Sequence, residues 1–249
     1  MHGKLFKQAV GGMVLMAALA GAWALEHPVV KRAFDLPPSA DLNYSIKARQ
    51  KGFSLSGDAL ITWRVADSKY LVNAETRAMV VGKIMENRSE GAIDSYGIAP
   101  ALFYEKRFRK DPTTTTFDRS SKTISFTDGT LNYPLKGGEQ DRASATWQLV
   151  AVARGAPEKF VPGSEWVFFV AGRRDAEPWT FKVIKQETVR SGLGEVEAVH
   201  VVRAPPPDSK EQTLDIWLAP SHEWYPVRLR FTDHDDEFVE QTLENIVKK

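Results

Sequence analysis

The sequence predicts a mainly β protein: a large curved antiparallel sheet, a barrel or half-barrel, with one buried apolar helix, preceded by a signal peptide. Three observations carry this prediction. From Asp41 onward apolar and polar residues alternate with period two, the mark of half-buried strands. Turn residues interrupt the alternation at short spacing, giving roughly a dozen strands and favouring a barrel or sandwich. One segment, Gln140 to Arg154, replaces the alternation with a nearly continuous apolar run.

Composition narrows the field. The chain has 249 residues, 43% of them hydrophobic and 26% charged, which is too apolar for disorder. There is no Cys, which excludes disulfides, thiolate metal sites and a cysteine nucleophile. A formal net charge of +1 gives no reason to expect a nucleic-acid partner.

Residues 1–24 have the three parts of a secretory signal peptide. Lys4 and Lys7 supply the positive start, Ala9 to Ala20 the apolar stretch, and Ala22-Trp23-Ala24 the preferred cleavage site. Ala18-Leu19-Ala20 and Ala20-Gly21-Ala22 are rival sites. The expected location is therefore exported and periplasmic. The alternative is an uncleaved inner-membrane anchor, which the shortness of the apolar run and its three glycines disfavour. Cleavage removes two lysines and no acid, leaving 31 basic against 32 acidic residues, a mature charge of −1. Residues 25–40, with Lys31-Arg32 and Pro37-Pro38, read as an extended linker, and 41–249 as a single β-rich domain.

The strands follow in order. Leu42, Tyr44, Ile46 and Ala48 alternate with polar neighbours, and Gly52 turns the chain into Phe53–Val65. Asp67-Ser68 closes a hairpin into Tyr70–Ala78, and Gly82 breaks before Ile84–Ile93. Tyr96-Gly97 and Pro100 lead into Leu102–Lys110, followed by the Thr-rich strands Thr113–Arg119 and Lys122–Thr127. Leu131–Gly138 reads as a loop. The helix Gln140–Arg154 takes Asp141 as N-cap and Gly155 as the residue just past its end. It is apolar nearly all round, hence buried, and too short to cross a bilayer. Later strands are Glu165–Ala171, Trp179–Glu187, Val196–Ala204, Thr213–Leu218, Val227–Phe231 and Phe238–Ile246. Both faces of Glu165–Ala171 are apolar, so it lies centrally or is covered on each side.

Candidate sites are few. The stretch 233–237 (Asp-His-Asp-Asp-Glu) has metal-binding residue types but lacks EF-hand spacing, and reads as a solvated hairpin turn. Lys106-Arg107-Phe108-Arg109-Lys110 offers a grip on phosphate or lipid head groups, but in a strand these residues alternate faces, and a charge-protected edge strand is the preferred reading. The segment from Arg173 to Trp179 reads as a salt-bridged turn or the rim of a pocket. No catalytic residue, metal site or cofactor is assigned: Ser54 and Ser56 lack nucleophile-elbow spacing, His27, His200, His222 and His234 lack ligand-like spacing, and Gly137-Gly138 is followed by Glu139 rather than a phosphate-binding Lys.

Several segments together resemble the bacterial family known as domain of unknown function 3108. They are Pro37-Pro38-Ser39-Ala40 with Leu42-Asn43-Tyr44, Ala48 to Phe53, Gln140-Asp141-Arg142, Gly172 to Phe181, Trp217-Leu218-Ala219-Pro220, and Tyr225 to Arg230. The resemblance implies a β-rich exported envelope domain and supplies no activity, so no catalytic residue is carried over.

The functional expectation is a non-catalytic envelope protein that binds an apolar or amphiphilic, lipid-like ligand. Trp147, Val150, Phe169, Trp179 and Trp217 would line the site, and Arg173, Arg174 and Asp175 its rim. The alternative is an interaction or scaffold module in envelope assembly, with a protein partner paired at an edge strand and at most peripheral membrane contact. A hydrolase using Asp175 and Glu177 ranks third. One observation separates the first two: a concavity filled by Trp147, Leu149 and their neighbours leaves no room for a ligand.

Overall fold

The computed structural model describes residues 27, 29–205, 212–233, 235 and 237–249. The signal peptide expected over 1–24 lies outside them, as do His234 and Asp236. The first half runs β1 (Ala40–Gln50), β2 (Phe53–Ala66), β3 (Lys69–Ala78), β4 (Gly82–Asp94), β5 (Gly97–Arg107), β6 (Thr113–Asp118), β7 (Thr123–Phe126) and β8 (Tyr133–Pro134). Next come β9 (Gln140–Asp141) and α1 (Ser144–Gly155). The second half is β10 (Glu165–Ala171), β11 (Ala176–Ser191), β12 (Gly194–Arg203), β13 (Thr213–Leu218), β14 (Pro226–Thr232) and β15 (Phe238–Lys248).

Among the described residues, fifteen strands form one sheet, ordered β8-β7-β6-β5-β4-β3-β2-β1-β15-β14-β13-β12-β11-β10-β9. Two meanders run outward from a central seam in which β1 pairs antiparallel with β15, Ala40 opposite Lys248 and Arg49 opposite Phe238. Only the last pair, β9 with β10, is parallel. Tight turns set the register. Asp67 and Ser68 both adopt left-handed backbone (φ 50° and 58°) between β2 and β3, as a two-residue type I′ hairpin requires. Pro100 sits at a register shift opposite Gly91, where a Cβ would come within 2.2 Å of the Ala99 carbonyl oxygen. The bulge thus tolerates both a missing donor and a close backbone approach.

Burial follows the pleat. Along β1, Ala40, Leu42, Tyr44 and Ile46 point inward and are buried, while Asp41, Asn43 and Ser45 stay half-exposed. The inward faces of the sheet and α1 share one core cluster. β10 contributes alternate residues to two clusters: Trp166, Phe168 and Val170 to this core, Phe169 and Ala171 to a second one with Phe103, Phe117 and Ile124 from β5 to β7. Its double-sided apolarity is thereby explained. The second cluster also shows how the sheet ends. β8 and β9 do not pair, so the sheet is open and the barrel form of the expectation is corrected. The two ends instead lap by side-chain contacts: Thr115 Oγ1 donates to the Gly172 carbonyl at 2.7 Å, and Arg173 and Arg174 reach Asp128 at 3.0 and 2.8 Å. Both edge strands are two residues long. β8 ends in Pro134 and β9 is fully buried, so neither offers a ladder to another chain.

Three further expectations change. The helix starts at Ser144 rather than Gln140, because Gln140 and Asp141 are drawn into pairing with Val170 and Ala171. Gly155 is the last helical residue, kept small because a Cβ there would lie 2.5 Å from Phe34 Cα. β5 lies between β4 and β6, so Lys106–Lys110 is not an edge strand; 108–110 form the hairpin turn, with Arg109 at φ 54°. The segment 29–39 runs extended and lies along the helix: the Asp35 N–H donates to the Ala151 carbonyl at 2.9 Å, and Arg32 donates to the Val167 carbonyl at 3.1 Å.

Candidate functional site

The obvious place for a ligand is the concave face of the sheet, and α1 occupies it. Trp147, Leu149, Val150, Ala151, Val152 and Ala153 are all buried. The Trp147 indole stacks on Trp63 with ring centres 4.5 Å apart and meets the edge of Tyr225 at 6.1 Å. Trp63 Nε1 donates to the Pro37 carbonyl at 2.9 Å, and the Tyr225 hydroxyl donates to the Pro38 carbonyl, so the extended segment closes over the same aromatic group. The buried indole and phenol dipoles are thereby satisfied.

Two polar fixtures hold the helix. Gln148 bridges the β4–β5 turn: its Oε1 accepts the Ile98 N–H at 2.8 Å and its Nε2 donates to the Tyr96 carbonyl at 2.8 Å. Gln148→Leu keeps the volume but leaves both backbone groups without a partner. The expected loss is about 2 kcal/mol in a urea unfolding curve. At the other end Arg154 pairs with Glu223 and Asp35, tying the helix terminus to β14's approach and to the extended segment.

The helix N-terminus carries a buried carboxylate. Asp141 Oδ1 accepts the backbone N–H groups of Ala143 and Ser144, each at 2.8 Å, while Oδ2 accepts from Ser89 Oγ. Ser89 Oγ in turn contacts the Tyr70 hydroxyl at 2.7 Å. Burial pushes the Asp141 carboxyl up to about 6, against the pull of the Ser89, Ser144 and Ala143 bonds. Tyr70 is pushed well above the ordinary phenol range by burial and by the nearby Asp141 charge. Serine, aspartate and tyrosine meet here, but all three lie sealed inside the core, which gives substrate no access.

The eight residues assigned to a ligand site occupy several places. Trp147 and Val150 belong to the filled concavity. Trp179 lies at its margin, with the Arg203 guanidinium 4.3 Å above the ring and its Nε1 donating to Glu177 at 2.9 Å. Trp217 faces the other side of β13, stacked on the cross-strand His200 at 4.4 Å and flanked by Arg228 at 5.5 Å. Phe169 belongs to the second cluster, with His27 stacked on it at 4.1 Å. Arg173 and Arg174 form the salt-bridged turn with Asp128, and Asp175 is exposed. Glu187 gathers Trp217 Nε1 at 2.9 Å and Lys185 Nζ at 2.8 Å, while Asp215 holds His200 Nε2 at 2.7 Å, a polar layer that shields Trp217 from water. Among the described residues there is no group of three or more His, Cys, Asp or Glu placed to hold a metal ion. The stretch 233–237 joins β14 to β15, with the Asp233 N–H donating to the Glu237 carbonyl at 2.8 Å.

Open space lies elsewhere. A pocket of about 520 Å³ is lined by Leu193, His222, Glu223, Tyr225, Ile246 and Lys248, and a smaller one of about 160 Å³ by Gln186, Val199 and Pro220. Sequence reading missed a different feature: an exposed apolar fringe at the hairpin tips, where Phe53, Met79 and Val80 are 71%, 78% and 96% exposed. The signal was present, since Met79-Val80-Val81 places three apolar residues where a turn was expected.

The molecule is thus a curved antiparallel sheet wrapped round its own helix. The family described as "Protein of unknown function (DUF3108)" matches residues 43–243, and the chain belongs to that family. Among curated proteins, none matches it in sequence. Solved structures similar to this chain include a Bacteroides fragilis protein described as exported with a YmcC-like fold: 11% identity, TM-score 0.37, 87% of this chain and 100% of that one. Another, from Parabacteroides distasonis, is described as a lipoprotein: 12% identity, TM-score 0.34, 88% and 100% covered. A third, from Vibrio parahaemolyticus, is described as an outer membrane lipoprotein-sorting protein domain: 7% identity, TM-score 0.29, 85% and 86% covered. No helix among the described residues is long and apolar enough to cross a membrane.

Proposed function

We propose that this protein is an exported, non-catalytic interaction module of the bacterial envelope that works through its outer surface rather than by carrying a ligand inside. The observation that supports this reading is the filled concavity: Leu149, Val150 and Val152 have no exposed surface, and Trp147 stacks on Trp63 and meets the edge of Tyr225. An acyl chain would have to displace a helix whose packing and polar ties stabilise the core. The signal-like N-terminus supports the location.

A second reading, amphiphile binding, draws on the pocket of about 520 Å³, which is within the size range of small-ligand sites and combines Leu193, Tyr225 and Ile246 with Lys248. One experiment separates the two. Protein purified as the exporting cell processes it is extracted and examined by mass spectrometry for lipid, then titrated with a fluorescent fatty acid. The surface-module reading expects no stoichiometric lipid and no saturable titration; a one-to-one lipid would overturn it.

A further inference from the structure

We infer that the end of the sheet carrying the β1–β2, β3–β4 and β5–β6 hairpins docks on the surface of a bilayer containing anionic phospholipid. This rests on the reading that the module works from its outside, and it names the surface and the partner. The three tips stand side by side because β1 to β6 are consecutive neighbours in the sheet. Backbone contacts tie them together: the Met79 N–H donates to the Ser56 carbonyl at 3.1 Å and the Phe108 N–H to the Ile84 carbonyl at 2.8 Å.

Two properties coincide there. Phe53, Met79, Val80 and Phe108 project apolar side chains into solvent, from protruding turns rather than from a groove. Segments 49–55, 77–83 and 106–112 hold eight Lys and Arg against one acid, the exposed Asp111. Three of the eight are committed to neighbours: Arg77 and Lys83 to Glu75, and Arg107 to Glu105. Lys106 Nζ donates to the Lys110 carbonyl, and the Arg109 guanidinium lies 4.9 Å from the Phe108 ring centre, so that aromatic and cation share one tip. On the far side of β1, where Arg49 faces Phe238 of β15, the connection that carries Asp233, Asp235 and Glu237 lies beside the β1–β2 tip. Glu237 accepts the Lys51 N–H, so the basic area ends there and the β3–β4 and β5–β6 tips carry most of the contact.

Protruding apolar tips with a basic surround match a layered partner. The side chains of Phe53 and Val80 enter the acyl boundary while the cations meet phosphate oxygens just above it. A protein partner would need a concave apolar receptor ringed with acid. The alternation argument that splits Lys106–Lys110 between two faces does not apply, because 108–110 are turn residues.

The test is flotation of the protein, purified as the exporting cell processes it, with phosphatidylglycerol–phosphatidylcholine vesicles and with phosphatidylcholine alone. The readout is the difference between the two, since an uncleaved apolar N-terminal segment would insert into both. We expect binding to the anionic vesicles to exceed the neutral by about tenfold or more and to fall with added salt. Arg109→Glu/Lys110→Glu should abolish that difference, and Phe53→Ser/Val80→Ser should weaken binding about tenfold, with unchanged thermal midpoints because the positions are exposed. Equal binding to both vesicles, or variants that bind like wild type, would overturn the inference. So would concentration-dependent dimerisation that Phe53→Ser/Val80→Ser removes, which would make the fringe a self-interface. These outcomes leave the lipid-extraction result untouched, so failure here and failure of the surface-module reading are distinguishable.

Discussion

Trp147→Ala is expected to destabilise the protein by about 4 kcal/mol, the loss typical of emptying a fully enclosed indole site. Trp147 is 3% exposed, and its stack on Trp63 and edge contact with Tyr225 have no nearby side chain positioned to replace them. The measurement is the urea midpoint of the variant against wild type, with the slope compared as a check on two-state behaviour. A second readout ties the same substitution to function. If the helix alone fills the concavity, the shortened side chain leaves an apolar hole that should bind an environment-sensitive fluorescent probe which wild type ignores. A loss below about 1 kcal/mol would mean the helix is loosely seated, and would favour the carrier reading.

The second large effect concerns pH. Asp141 has its carboxyl raised to about 6 in the folded protein against an ordinary value of 3.8. Between those values the folded state holds a proton that the unfolded chain has released, so stability falls as pH rises through this window. The stabilising contribution of the protonated form is complete below about 4 and lost above about 6. A shift of this size corresponds to about 3 kcal/mol. Asp141→Asn retains an acceptor for the Ala143 and Ser144 N–H groups and can donate to Ser89, so it should fold. The difference in unfolding free energy between wild type and variant should change by about 3 kcal/mol between pH 4 and pH 7. Taking that difference cancels the carboxylates that act in the opposite direction: Glu223, whose hydrogen bonds from Arg154 and Lys248 hold its carboxyl below the usual range, and Glu187, held low by Lys185 and Trp217. Parallel pH curves for the two proteins would show that Asp141 is not protonated in the folded state near pH 5.

Strand identity was legible because it depends on local pattern. Alternation in β1 and the Asp67-Ser68 turn need no knowledge of the rest of the chain, and the all-round apolarity of 143–153 identifies a buried helix wherever it packs. What could not be read depends on distant partners. Gln140 and Asp141 become a strand only because β10, some thirty residues on, presents a free edge. Lys106–Lys110 resembles an edge strand until β5 is seen to lie between β4 and β6, with 108–110 turning the chain between β5 and β6. Trp217 looks like a cavity-lining residue until His200 and Arg228, brought across from β12 and β14, cover its outer face. The candidate site suffered most, because a single sequence shows which aromatics are buried but not whether they surround a space or fill one.

The seam between β1 and β15 has a consequence for how the molecule comes into being. Each meander closes by short hairpins, but joining Ala40 to Lys248 brings together residues at nearly opposite ends of the described chain. A nascent chain made from its N-terminus therefore carries β1 with one bare flank until β15 has been made. Non-local pairing of this kind is slow and leaves the growing polypeptide open to aggregation through that bare strand.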